Sequence, residues 1–219
     1  MGEQQRELPV SRRAATLVVR ELACSRGDRT LFAPTSFTAA AGDIVWVRGA
    51  NGQGKTTLLR TLAGLAAPSA GQIVWQRTDD GAPRVVYLAH ANAIKDELTV
   101  RESLRFLLDL GGTPVDDAAV DAALERFGLA SRRDAFVRTL SQGQRRRVAL
   151  ARLAAQREPL PWLLDEPFDA LDADGVEALA ALIVEHAQHG GSIVLTSHLP
   201  VPIADPAPII LELHEPAFA

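Results

Sequence analysis

Residues Gly49-Ala50-Asn51-Gly52-Gln53-Gly54-Lys55-Thr56-Thr57 follow the spacing G-x-x-x-x-G-K-[ST], and this stretch constrains the fold more than any other in the chain. The run before it, Ile44-Val45-Trp46-Val47, is apolar and rich in β-branched residues. The run after it, Thr57-Leu58-Leu59-Arg60-Thr61-Leu62-Ala63-Gly64, carries helix formers and ends on a glycine suited to a C-cap. Strand, loop and helix therefore follow one another as the motif requires. Glycines at 49, 52 and 54 let the backbone turn sharply and aim successive N–H groups inward, and the helix adds the positive end of its dipole. That concavity suits a nucleoside triphosphate. Lys55 is placed to reach the β- and γ-phosphates as a point charge, and the Thr56 hydroxyl to hold Mg²⁺.

A chain of 219 residues holds one sizeable core and one such nucleotide site, so a second nucleotide-binding domain has to come from another chain. No apolar run approaches the ~20 residues that span a bilayer. Residues 1–15 are polar and basic without an apolar h-region, and are expected to be a flexible tail in the cytosol, leaving 16–214 as one domain. A net charge of −4 gives no electrostatic footprint for nucleic acid, and none is expected as a partner. Cys24 is the single cysteine, expected at a buried strand end in a reducing compartment.

Residues 16–22, 35–39 and 71–75 read as short antiparallel strands framing the phosphate loop, with a turn at Arg26-Gly27-Asp28-Arg29. After a strand at 84–88 the composition shifts to helix formers, giving a helical insertion over about 95–156. Thr99 and Glu102 have capping-box spacing at the start of its first helix, which stops near Gly111-Gly112. Val120, Ala123, Leu124 and Phe127 mark a second helix, stopped by Gly128. Strand and helix then alternate: 162–164, 174–189, 193–196 and a last strand at 209–213. The tryptophans at 46, 75 and 162 all fall in strand-like runs and are read as core. The fold class is α/β.

Trp162-Leu163-Leu164-Asp165-Glu166-Pro167 is an apolar strand ending in two carboxylates, the second half of a phosphate-loop site. Asp165 at the strand end suits Mg²⁺, and Glu166 suits the attacking water, which it can orient or deprotonate. Leu140-Ser141-Gln142-Gly143-Gln144 closely resembles the LSGGQ signature of ATP-binding cassette (ABC) ATPases, with Gln142 where glycine is commoner. A serine hydroxyl and a glycine backbone at a helix start make another anion cradle. Arg145, Arg146 and Arg147 behind it read as a solvated face with interdomain ion pairs. Phe168-Asp169-Ala170-Leu171-Asp172 resembles the family's D-loop, and His198 after the strand at 193–196 its switch histidine.

The resemblance runs from residue 16 to His198. It implies a P-loop NTPase of ABC-ATPase type with an antiparallel β subdomain and an inserted helical subdomain. It also implies ATP and Mg²⁺, and a homodimer in which Ser141, Gln142, Gly143 and Gln144 of one copy close on the γ-phosphate held by the other, with Asp172 between the subunits. The implied partners are integral membrane subunits of an exporter, and the implied place is the cytoplasmic face of the bacterial inner membrane. Two positions depart from the pattern. His90 stands where a glutamine is usual, able to meet Mg²⁺ or the attacking water or merely to cap its strand, and Arg26 stands where a tyrosine would stack on adenine. The short length, the His-x-Asn-x-Ile-Lys segment from His90 and the run from Trp162 to Asp172 resemble the haem-exporter ATPases of bacterial cytochrome c maturation. Haem delivery is implied by that likeness, since His90, His186, His189, His198 and His214 form no Cys-x-x-Cys-His attachment pattern. The competing readings are the ATPase of another small ABC exporter, and a soluble ABC ATPase acting on nucleic acid or ribosomes.

Overall fold

The computed structural model describes residues 16–76, 84–113 and 115–216; the tail read at 1–15 lies outside them. The chain opens with β1 (Thr16–Ala23), whose Leu17, Val19 and Leu22 are buried. A two-stranded hairpin of β2 (Ser25–Arg26) and β3 (Arg29–Thr30) follows, turning at Gly27 with φ +60°. Then come β4 (Thr35–Ala39) and β5 (Ile44–Arg48), the loop of interest, α1 (Lys55–Leu62) and β6 (Ala70–Gln76). β1 is the middle strand of an antiparallel sheet ordered β4-β1-β6. The three expected strands are those three.

β7 (Val86–Leu88) leads to three helices, α2 (Val100–Leu110), α3 (Asp117–Arg126) and α4 (Gln142–Ala154). α2 begins on the Thr99/Glu102 capping box and ends with Gly111 as its C-cap. The remainder is β8 (Trp162–Leu164), α5 (Ala173–Gln188), β9 (Ile193–Thr196) and β10 (Ile209–Glu212). These strands join β5 and β7 in a wholly parallel sheet ordered β10-β5-β9-β8-β7.

Both faces of this parallel sheet are covered, as all-parallel sheets require. Because side chains alternate along a strand, Trp162 and Leu164, with Ile193 and Leu195, face the core formed with α2, α3, α4 and α5, while Leu163, Val194, Val45 and Val47 face α1 and the antiparallel sheet. The phosphate-binding helix is thus clamped by Leu58, Leu59 and Leu62 beneath β5, β8 and β9.

Trp162 carries one polar neighbour into this core. Its ring stacks on His186 with centroids 3.6 Å apart and planes 5° apart, and His186 Nε2–H donates to the Leu160 carbonyl at 2.8 Å. Burial pushes the imidazole down from 6.5 to about 4, with nearby His189 adding a little and the Leu160 bond opposing. The fold therefore holds neutral His186, while the unfolded chain takes up a proton near 6.5. The stability it contributes is complete above pH 6.5 and is lost as pH falls toward 4. Urea unfolding of His186→Phe should show a shallower loss over that window than the parent, by at most about 3 kcal/mol.

Candidate functional site

The loop leaves β5 through Gly49 at φ +151°, then turns at Gly52 (φ +79°) and Gly54 (φ +95°), conformations in which a side chain is strained. A Cβ on Gly54 would lie 2.9 Å from the Leu31 Cβ. Gly54 also precedes α1 without any side chain to cap it, so the first amides of the helix stay free to meet an anion. Gln53 braces the loop from inside: its Oε1 accepts from the Ala50 amide at 2.6 Å and its Nε2 donates to the Leu213 carbonyl at 2.9 Å. Lys55, 8% exposed, donates from Nζ to the carbonyls of Gly49 (2.8 Å) and Ala50 (3.2 Å). One cavity of about 280 Å³ is shared by Arg26, Leu31, Asn51, Gly52, Gly54, Lys55, Thr56, Thr57 and Glu166. The structure thus brings Arg26 of the hairpin to the same hollow as the loop.

The acidic pair meets the loop across adjacent strand ends. Asp165, 1% exposed, follows β8; its Oδ1 accepts from Thr56 Oγ1 at 3.1 Å and from Thr196 Oγ1 at 3.0 Å. Its Oδ2 is buried without a hydrogen-bond partner among the described residues. A buried carboxylate oxygen left open beside a threonine hydroxyl fits a hard divalent cation, which takes oxygen ligands. Glu166 adopts φ +45°, a left-handed conformation uncommon outside glycine. It is held there by its N–H donating to Thr196 Oγ1 (2.8 Å), and its Oε2 receives the His198 N–H at 3.1 Å, with His198 Nδ1 also 3.1 Å away.

His90 does not end a strand. β7 stops at Leu88, and His90 lies two residues beyond it with its side chain 68% exposed and Nδ1 3.8 Å from Asp169 Oδ2. It is nonetheless beside the acidic loop. Ser141 caps α4, accepting from the Gln144 amide at 3.2 Å while Gln144 Oε1 accepts from the Ser141 amide at 3.1 Å. Gln142 and Gly143 form the first turn behind that cap, and a Cβ on Gly143 would lie 2.8 Å from the Ala170 carbonyl. No hydrogen bond or ion pair among the described residues joins these four to the phosphate loop. Asp172 caps α5 through the Gly175 amide at 3.0 Å and is paired with Arg147.

The arginine run corrects the sequence reading. Arg145 pairs with Asp96 and Arg147 with Asp172, as ion pairs between elements, but Arg146 is not solvated: it is 2% exposed. Its Nη1 donates to Ala89 O (3.1 Å), His90 O (3.2 Å) and Asn92 Oδ1 (3.1 Å), and its Nη2 to Asp165 O (3.2 Å) and Glu166 O (2.7 Å). Burial lowers its pKa from the ordinary value, while the carboxylates of Asp169, Asp165 and Glu166 oppose that shift. A signal was available, since Arg146 stands three and four residues before the apolar Ala149 and Leu150, on the buried side of α4. Arg146→Lys keeps the charge and loses the fork. It should lower the urea unfolding free energy by about 2–4 kcal/mol as loop carbonyls lose donors. Turnover should fall at least about tenfold while nucleotide affinity, set at the other loop, moves less than about threefold.

The sequence model of the ABC transporter family matches residues 32–169. A cytochrome c biogenesis ATP-binding export protein (CcmA) of Vibrio cholerae serotype O1 is 47% identical over 83% of this chain and 90% of its own length. One from Aromatoleum aromaticum is 46% identical over 92% of this chain and 96% of its own. Among solved structures, an ATP-binding protein of a putative ABC transporter from Pyrococcus furiosus superposes with TM-score 0.76 at 26% identity, covering 90% of this chain and 97% of that one. The phosphate loop, the acidic strand end and the signature helix are thus those of a known lineage, and the chain belongs to the ABC transporter family, among its cytochrome c biogenesis ATP-binding export proteins.

Proposed function

We propose that this chain is the ATP-hydrolysing subunit of a membrane export complex that serves haem delivery for cytochrome c assembly. It works as a pair of copies bound to integral membrane subunits at the cytoplasmic face of the bacterial inner membrane. The likeness to cytochrome c biogenesis export proteins over most of both chains supports the assignment to this pathway. The ATPase reading is carried by one observation: Asp165 bonds to Thr56 of the phosphate loop while Glu166, next along, faces the same cavity. No described helix is long and apolar enough to cross a membrane, so on this reading the crossing is made by partners.

The loop amides and the α1 N-terminus receive the β- and γ-phosphates, and Lys55 turns from the loop carbonyls to the phosphate oxygens. Thr56 and Asp165 are the residues that would hold Mg²⁺, which when bound neutralises charge on the phosphates. Glu166 orients the attacking water and accepts its proton, with His198 fixing the carboxylate from the next strand end. Arg26 at the rim of the cavity offers a guanidinium plane to the base. Ser141, Gln142, Gly143 and Gln144 act on the nucleotide of the second copy. His90 and residues 91–98 lead from the site into the helical subdomain, and one guanidinium holds both the His90 and the Glu166 carbonyls. That shared hold supports these residues as the link through which a membrane partner senses nucleotide.

Glu166→Gln should bind MgATP with near-parental affinity and hydrolyse it about a hundredfold more slowly, whereas Lys55→Ala should lose affinity as well. Equal loss of binding in both would refute the division of roles. The assignment to an exporter is tested by recovering the tagged chain from detergent-solubilised membranes and identifying what comes with it. Integral membrane proteins should co-purify in stoichiometric amount and raise the ATPase rate. Stimulation by nucleic acid or ribosomes in their place would overturn it.

A further inference from the structure

His198 has two carboxylates on one ring nitrogen, more than a single hydrogen bond needs. Its Nδ1 lies 3.1 Å from Glu166 Oε2 and 3.5 Å from Asp169 Oδ1, and one donor atom from each of the three residues falls within 4.8 Å of the others. A tetrahedral Zn²⁺ ion with bonds of about 2.0 Å places neighbouring donors about 3.3 Å apart, so both nitrogen-to-oxygen separations already match such a set. We propose that Glu166, Asp169 and His198 form a site for a divalent transition-metal ion of the Zn²⁺ class, separate from the Thr56 and Asp165 pair, and that occupancy stops hydrolysis.

The backbone preforms the set. The Asp169 N–H reaches back to the Glu166 carbonyl at 3.3 Å, which closes a tight turn between the two carboxylate-bearing residues. The positive φ of Glu166 and its bond to Thr196 fix the first of them, and the His198 N–H donating to Glu166 Oε2 fixes the strand end that carries the imidazole. Arg146 anchors the same turn through the Glu166 carbonyl. On the outer side, His90 Nδ1 stands 3.8 Å from the second Asp169 oxygen, where it can orient the carboxylate as outer-shell groups do. Glu166 and Asp169 are mostly covered, with side chains 17% and 29% exposed, while His198 is 49% exposed; that opening gives an ion its way in and leaves one position for water.

Donor chemistry separates this set from the magnesium pair. One imidazole nitrogen with two carboxylates suits Zn²⁺, Ni²⁺ or Cu²⁺, whereas Mg²⁺ takes oxygen ligands and keeps its waters. A bound ion would occupy the Glu166 carboxylate proposed to receive the water proton and the His198 nitrogen that steadies it. Inhibition therefore rests on the roles proposed for those two residues. Binding does not.

The test uses the full chain with Mg²⁺ in millimolar excess and Zn²⁺ titrated against a chromophoric chelator, with Co²⁺ as a spectroscopic probe of geometry. One ion per chain should bind, Co²⁺ should give intense tetrahedral visible bands, and Zn²⁺ should inhibit turnover over the same concentration range. Asp169→Asn, isosteric and so tolerable to the fold, should weaken binding and raise the half-inhibitory concentration together, by at least about tenfold. His189→Ala should change neither. Absence of binding below about 100 μM free Zn²⁺, or binding untouched by Asp169→Asn, would overturn the site. Binding as described without inhibition would overturn the inhibitory claim and the Glu166 role with it. Lack of turnover before any Zn²⁺ is added would count against the ATPase reading alone.

Discussion

A single buried guanidinium holds the acidic edge of the site together. Arg146 is cut off from water, and stripping hydration from a cation is costly unless its donors are met. Here its two Nη groups are met by oxygens from two loops that are far apart in sequence, residues 89, 90 and 92 after β7 and residues 165 and 166 after β8, while its Nε has no hydrogen-bond partner among the described residues. The same helix presents the signature serine at its cap, one turn earlier. Its neighbours Arg145 and Arg147 tie Asp96 and the α5 cap, Asp172, to the same turn. Signature, acidic pair, D-loop and the loop carrying His90 are therefore joined through one turn of α4. The link from α4 to Glu166 is thus made of hydrogen bonds.

Charge is laid out in layers around that hold. On the loop side stand Lys55 and the α1 N-terminus, which no side chain caps, both positive in character. Facing them are Asp165 and Glu166, and the charge of Arg146 is balanced by these two carboxylates and Asp169. On the proposed function, nucleotide and cation would complete the layer between. The open Asp165 oxygen and the strained Glu166 backbone are then features a merely structural acidic turn has no need of.

Local chemistry made much of this legible from residues alone. The phosphate loop, the Thr99 and Glu102 capping box and the gene-order sequence of strand and helix were readable because each depends on neighbours within a few positions. The sheet order β10-β5-β9-β8-β7 was not, since nothing local tells the last strand to pair beside β5. The burial of Arg146 is hidden in the sequence for a related reason. Three adjacent arginines read as one polar face by composition, whereas helical spacing sends the middle one inward to partners more than fifty residues away in the case of Ala89 and Asn92. The family's usual glutamine suggests a strand end for His90, yet pairing with β8 extends only from Val86 to Leu88. Gln53 occupied a variable position of the motif, and its brace to Leu213 is visible only in three dimensions.

The site is incomplete within one chain on this view, because the signature residues bond within their own helix end and not to the phosphate loop. The most direct measurement is a crystal structure of Glu166→Gln grown with MgATP. Two copies should enclose two nucleotides, each lying between residues 49–57 of one copy and Ser141 to Gln144 of the other, with Arg146 still bonded to both catalytic loops. A nucleotide fully liganded by one chain, with the signature helix turned away from any phosphate, would contradict it.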